Sequence, residues 1–141
     1  MLNFPIVDMI DDQPCFAVPL AQILASCEAG GAVQILSPLE YHTSRQRAWY
    51  RGVCLRGLSD WSGDTLEEWD YRLKVECGGD LLHKKTIYFG TLSDGQKVTV
   101  ERLTIVGVGK KNMTAYIERI LEKAIEKDWP VTPPESELRS R

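Results

Sequence analysis

The sequence predicts a small α+β protein: a small mixed or antiparallel sheet that contains a long β-hairpin, with three to four helices. Two observations carry this. Residues 86–92 and 97–108 are rich in Thr, Val, Ile, Tyr and Phe, and the turn sequence Ser93-Asp94-Gly95-Gln96 lies between them. Three other stretches repeat apolar residues at three- and four-residue spacing, the period of a helix with one buried face. A chain of 141 residues, 43% hydrophobic and 26% charged, is the size and composition of one globular domain. We therefore expect a single domain over residues 1–132 and a mobile tail over 133–141, where Pro133-Pro134 precedes the polar run ESELRSR.

The elements follow in order. Residues 4–10 and 15–18 are β-prone around the turn-like Asp11-Asp12-Gln13-Pro14, which suggests a first hairpin. Pro19 suits a first helical turn, Leu20, Ile23, Leu24 and Cys27 share a face, and Gly30-Gly31 stops a helix over about 19–29. The run AVQIL, residues 32–36, lies between Gly30-Gly31 and Ser37-Pro38 and reads as a buried strand. Thr43 or Ser44 can cap the next helix, which continues through Trp49, Val53, Cys54 and Leu58 to about Trp61. Gly52 and Gly57 weaken that helix by up to about 1 kcal/mol each, so they point to a close approach of another backbone or a phosphate. Thr65 and Glu68 match a capping box, and Leu66, Trp69, Leu73 and Cys77 mark the apolar face of a helix over about 65–77. The hairpin comes next. Asn112 or Thr114 caps a last helix on which Ile117, Ile120, Leu121, Ala124 and Ile125 line up, ending near Trp129-Pro130.

Composition excludes several classes of function. With 17 Lys and Arg against 20 Asp and Glu, a net charge of −3, the chain is no polycation that coats nucleic acid or membranes through bulk charge. No apolar run approaches the roughly 20 residues of a spanning helix, and acidic residues stand where a secretory signal carries basic ones. We expect a cytoplasmic protein. Cys15, Cys27, Cys54 and Cys77 form no CxxC pair and no zinc-ribbon spacing, so they read as free thiols. His42 and His83 have no second metal-type ligand at helical or hairpin spacing. No GxSxG, HExxH or Cys/His arrangement is present, and we expect no cofactor.

The order of charge along the chain says more than its total. Residues 1–40 hold five acids and no base, whereas residues 41–58 hold four arginines and no acid. Residues 59–82 hold seven acids and two bases, and residues 83–111 two acids and six bases. Such segregation lets a near-neutral domain present a local footprint to phosphates. On an ideal helical wheel Arg45, Arg51 and Arg56 flank an aromatic-rich face, and Arg47 and Arg51 are neighbours four residues apart. Guanidinium groups donate paired hydrogen bonds to phosphate and stack on bases. Lys84 and Lys85 just before the hairpin, with Lys110 and Lys111 just after it, are further phosphate candidates. Gly107-Val108-Gly109-Lys110-Lys111 is not a Walker loop, because Thr104 stands at its first glycine and Lys111 at its Ser/Thr position. The acids of 60–80, Asp60 and Asp64 among them, could supply a divergent Mg²⁺-dependent nuclease site, but Asp64, Glu67 and Glu68 are also what a helix dipole favours in a first turn.

The stretch His42-Thr43-Ser44-Arg45-Gln46-Arg47-Ala48-Trp49-Tyr50-Arg51-Gly52 resembles the NinB/Orf-like family of bacteriophage recombination proteins. The similarity continues through a second helix with Leu66 and Trp69 near its start and Leu73-Lys74 at its end, then β structure, then a Met113-Thr114-led helix before a Pro-containing tail. It spans about residues 32–133 as spaced positions. Arg47 stands where many members have Asn. The resemblance implies a small dimeric α+β protein that binds DNA, preferring single strands, and assists the loading of recombination proteins. Gln46, Arg47 and Trp49 hold the motif, and Arg47 is its candidate phosphate contact. A second expectation, of another class, is a non-enzymatic interaction module, a phage inhibitor or adaptor that engages a host factor through the acidic N-terminal segment with Asp8, Asp11 and Asp12. A homodimer is expected on a further ground: the hairpin's Ile87, Phe89, Val98, Val100, Leu103 and Ile105 exceed the cover one small chain supplies.

Overall fold

The computed structural model describes residues 3–139 and shows an α+β fold with two separate two-stranded antiparallel sheets. The chain divides into two compact units, residues 1–35 and 36–141, where a single domain over 1–132 was expected.

In the first unit, strands β1 (Ile6–Ile10) and β2 (Gln13–Phe16) pair around Asp11 and Asp12, both at positive φ (50° and 61°). A two-residue turn with both φ positive matches the right-handed twist of the strands it joins, and Asp tolerates that conformation better than most residues. Helix α1 (Leu20–Ala25) follows Pro19 and buries none of its residues. The expected strand at 32–36 does not form: the segment is irregular, with Val33 82% and Ile35 84% exposed. Among the described residues no strand pairs with that run, and an apolar run without a partner has no ladder to join.

The second unit begins where the sequence suggested a strand end. Ser37 caps helix α2 (Pro38–Trp49): its hydroxyl accepts from the Glu40 N–H at 3.2 Å and Glu40 accepts from the Ser37 N–H at 2.9 Å, with Pro38 in the first turn. The helix thus starts nearly two turns before the expected Thr43 or Ser44. It runs on through a π-helical stretch, Tyr50–Leu55, into α3 (Arg56–Ser62), which Gly63 ends at φ 83°. Gly57 does pass another backbone here, since a Cβ at that position would lie 3.8 Å from the Pro130 carbonyl, whereas Gly52 faces open space. Helix α4 (Leu66–Leu73) carries the expected capping box, with Thr65 accepting from Glu68 N–H at 3.2 Å and Glu68 from Thr65 N–H at 2.8 Å, and it ends in a π-helical turn, Lys74–Gly78.

The hairpin pairs β3 (His83–Thr91) with β4 (Lys97–Thr104). Gly95 takes φ 89° in its turn, and Asp94 accepts from the Gln96 N–H at 2.9 Å. Helix α5 (Lys110–Lys127) starts at Gly109, not Asn112 or Thr114; the Asn112 amide donates to the Leu81 carbonyl at 3.1 Å, and Thr114 is buried. Its face of Met113, Tyr116, Ile117, Ile120 and Leu121 meets Trp49, Tyr50, Leu58, Trp69 and Leu73 in one core, while Ile125 is exposed. Trp129 stands edge-on to Trp69, ring centroids 5.1 Å apart.

Residues 133–139 do not trail off. Ser136–Arg139 form a 3₁₀ turn, Leu138 is buried, and its carbonyl accepts from the Gln46 amide at 2.9 Å. The rest of the expected tail, residues 140–141, lies outside the described residues. Among the described residues no helix is long and apolar enough to cross a membrane.

Candidate nucleic-acid interface

The long helical rod of α2, its π-helical continuation and α3 carries all four arginines of the first basic block. Arg45 is already engaged: its guanidinium meets Glu135 at 2.8 Å and Glu137 at 3.2 Å and lies over the Tyr41 ring at 5.6 Å. Both carboxylates come from the C-terminal segment, so Arg45 clasps that segment to the rod. Arg51 and Arg56 are exposed and Arg47 is half-buried. The π-helical turns are wider than α-helical ones, so residues after Tyr50 are displaced from the ideal wheel that gathered Arg45, Arg51 and Arg56 on one arc.

Buried polar groups brace this rod. The Gln46 amide donates to Thr114 Oγ1 at 2.9 Å as well as to Leu138, tying rod, α5 and C-terminal segment together, while its Oε1 and His42 Nε2 are enclosed without a partner among the described residues. Burial holds the His42 pKa below its usual value, with Lys110 and Arg45 adding to the effect, so Lys110 belongs to the same electrostatic neighbourhood as Arg45. Deeper in, the Tyr116 hydroxyl donates to Tyr50 at 3.0 Å, Tyr50 donates to Asp70 at 2.6 Å, and Lys74 meets the other Asp70 oxygen at 2.7 Å. Burial raises both tyrosine pKa values far above the ordinary range. They are fixed donors in a structural chain, and no reactive phenolate arises there. A shallow cleft of about 260 Å³ opens beside this chain, with Arg51, Glu67, Asp70 and Lys74 on its wall.

Lys84 and Lys85 lie inside β3, a correction to their expected place before the hairpin, because the strand starts at His83. Lys85 sits directly opposite Arg102 on β4, and Lys84 opposite Leu103. Lys110 and Lys111 occupy the first turn of α5 behind the uncapped Gly109, where helical N–H groups are left open. The His83 ring donates through Nε2 to the Gly107 carbonyl at 3.1 Å, and Asn112 reaches Leu81. These two bonds fasten the start of α5 to the start of β3, so both lysine pairs flank one junction. The sequence reading missed Arg102 as a site residue, along with Lys97; the signal for Arg102 was the hairpin register, which places it across from Lys85.

Ion pairs are scarce in the two basic blocks, and outside them Lys127 and Arg139 also make none among the described residues. Blocks 41–58 and 83–111 contain ten bases, and only Arg45 makes an ion pair; Arg47, Arg51, Arg56, Lys84, Lys85, Lys97, Arg102, Lys110 and Lys111 make none among the described residues. Elsewhere Arg72, Lys74, Arg119 and Lys123 are each paired with a carboxylate. Of the acids of 60–80, Glu68 caps a helix and Asp70, Glu76 and Asp80 meet those partners, and among the described residues no three His, Cys, Asp or Glu side chains converge as metal ligands.

Comparison of the chain with protein-family models, with curated proteins and with solved structures finds no match. The NinB/Orf-like resemblance therefore rests on the sequence pattern alone.

Proposed function

We propose that this protein binds DNA, favouring single strands, and acts without catalysis as an accessory in phage-type recombination. The observation that carries the reading is the set of nine cations that make no ion pair among the described residues and cluster in two acid-poor stretches of a chain whose net charge is −3. Unpaired cations leave their hydrogen-bonding capacity for an outside anion, and phosphates recruit them by releasing condensed counterions. Arg47, Arg51 and Arg56 on the rod and Lys84, Lys85, Lys110 and Lys111 at the hairpin–α5 junction are the proposed contacts; Arg45 contributes less, because two carboxylates compete for it. Dimerisation belongs to the same reading, since a second copy doubles the contacts a strand can meet; the hairpin is not its ground, because Ile105 is buried and Leu103 packs against the core within one chain. Fluorescence anisotropy of a labelled oligonucleotide at low salt tests the reading. Binding that is stronger for a single strand than for the duplex supports it, and no binding overturns it.

A second reading is favoured by the first unit. None of its described residues is buried, Ile6, Val7, Met9 and Ile10 are all at least half exposed, and it holds Asp8, Asp11, Asp12 and Glu28 with no base. An acidic, apolar surface of that kind fits a basic protein partner. Changing Asp8, Asp11 and Asp12 to Asn should then abolish capture of that partner while leaving oligonucleotide binding intact.

A further inference from the structure

We infer that the β3–β4 hairpin is a stacking platform for the bases of a single-stranded nucleic acid, with Tyr88 and Phe89 as the base-contacting rings; the inference rests on the nucleic-acid reading above. Nothing in the phosphate contacts proposed there requires these two residues.

The register places them. Tyr88 pairs with Thr99, and the next pair is Gly90 with Val98, so Phe89 is the extra residue of a β-bulge and two adjacent aromatics oppose one threonine. Bulges re-aim side chains next to functional sites. Both rings lie open, Tyr88 57% and Phe89 59% exposed, on a strand whose Ile87 is only half-buried. The Tyr88 hydroxyl is hydrogen-bonded to that of Thr91 on the same strand, which holds its ring in place before any ligand arrives. Exposed aromatics on a strand could equally meet a second copy of the chain. Charge decides against that occupant. Lys85 and Arg102 are directly opposite one another, a like-charge pair that costs the hairpin stability, and neither these two nor Lys84 and Lys97 have an acidic partner among the described residues. The hairpin sets these four cations against Asp94 and Glu101, so a twofold contact would join two surfaces of net positive charge, whereas a phosphate backbone neutralises them. By strand alternation Lys84 and Lys97 share the face of Tyr88, together with Glu101, while Lys85 and Arg102 stand on the opposite face. Cations beside rings that accept successive bases are what sequence-tolerant single-strand binding needs, because every base has a π face.

The test compares a dT oligomer, which has no competing secondary structure, with an abasic oligomer of equal length that keeps the phosphates and lacks the bases. Tyr88→Ala and Phe89→Ala should each weaken dT binding roughly 5- to 150-fold, and abasic binding should not change. Tyr88→Leu with Phe89→Leu keeps an apolar surface without π faces and should lose dT affinity in the same direction, with circular dichroism confirming the fold. Full dT affinity in the alanine variants overturns the stacking inference and leaves the nucleic-acid reading standing. Loss of a wild-type dimer in those variants, with dT affinity intact, assigns the platform to a second copy and also overturns it. Failure of the wild-type protein to bind either oligomer removes the underlying reading itself.

Discussion

At the scale of single residues, the polar groups inside the helical body divide into those that hold it together and those that tolerate enclosure. Tyr50 is the hub of the first kind, accepting from Tyr116 and donating to Asp70. Tyr50→Phe strands both neighbours and should lower unfolding free energy by about 1–3 kcal/mol in urea titration, with little change in secondary structure. The thiols fall into two sets. Burial pushes Cys54 up to about 12 and Cys77 up to about 11, while Cys27 is exposed. A thiol reagent near neutral pH should therefore modify Cys27 at once, and Cys54 and Cys77 only after denaturation; equal rates for all would contradict the packing. His42 supplies a pH dependence. Its pKa is depressed in the fold, so the unfolded chain binds its proton more readily, and stability is complete above the unfolded value near 6.5 and falls as pH drops below it. Thermal melts between pH 7.5 and 5.5 should show a decline in the wild type that is smaller in His42→Gln. A decline of equal size in both would remove His42 as its source.

At the scale of elements, capping chemistry decided the boundaries, and the sequence showed it wherever no competing signal intervened. Thr65 and Glu68 were read as a capping box and the structure has one there. Ser37, Pro38 and Glu40 carry the same signal, yet the apolar run before them made Ser37-Pro38 look like the end of a strand. Periodicity describes a residue's own preference and cannot report whether another strand pairs with AVQIL; among the described residues none does. The hairpin was legible because its turn is local: Gly95 and Asp94 fix it within a few residues. Gly95→Ala places a Cβ at φ 89° and should cost roughly 1–2 kcal/mol, read as a lower urea midpoint with an unchanged slope. The π-helical turns were not legible, and they alter how the arginines are arrayed around the rod.

At the scale of the whole molecule, the docking of residues 133–139 was hidden from the sequence because its anchors, Gln46, Arg45 and the Trp49 indole that donates to Thr132 at 3.0 Å, lie some ninety positions away. Arg45→Ala should loosen that segment at a cost of about 1 kcal/mol or less, as partly exposed ion pairs do, and reduce oligonucleotide affinity less than Arg47→Ala. The proposed homodimer predicts a light-scattering mass near twice 15.9 kDa at tens of micromolar protein; the single-chain mass would count against it. The two basic blocks were legible as blocks, but that nine of their ten bases make no ion pair among the described residues is a property of the folded chain. The central claim is that these cations meet phosphates, and the salt dependence of single-strand binding tests it most directly. For the seven proposed phosphate contacts, log K should fall with log salt at a slope of about −5, less steeply by about 0.7 for each of Arg47, Arg51 or Arg56 changed to Ala. Affinity that is independent of salt, or a slope unmoved by any of the three substitutions, would contradict it.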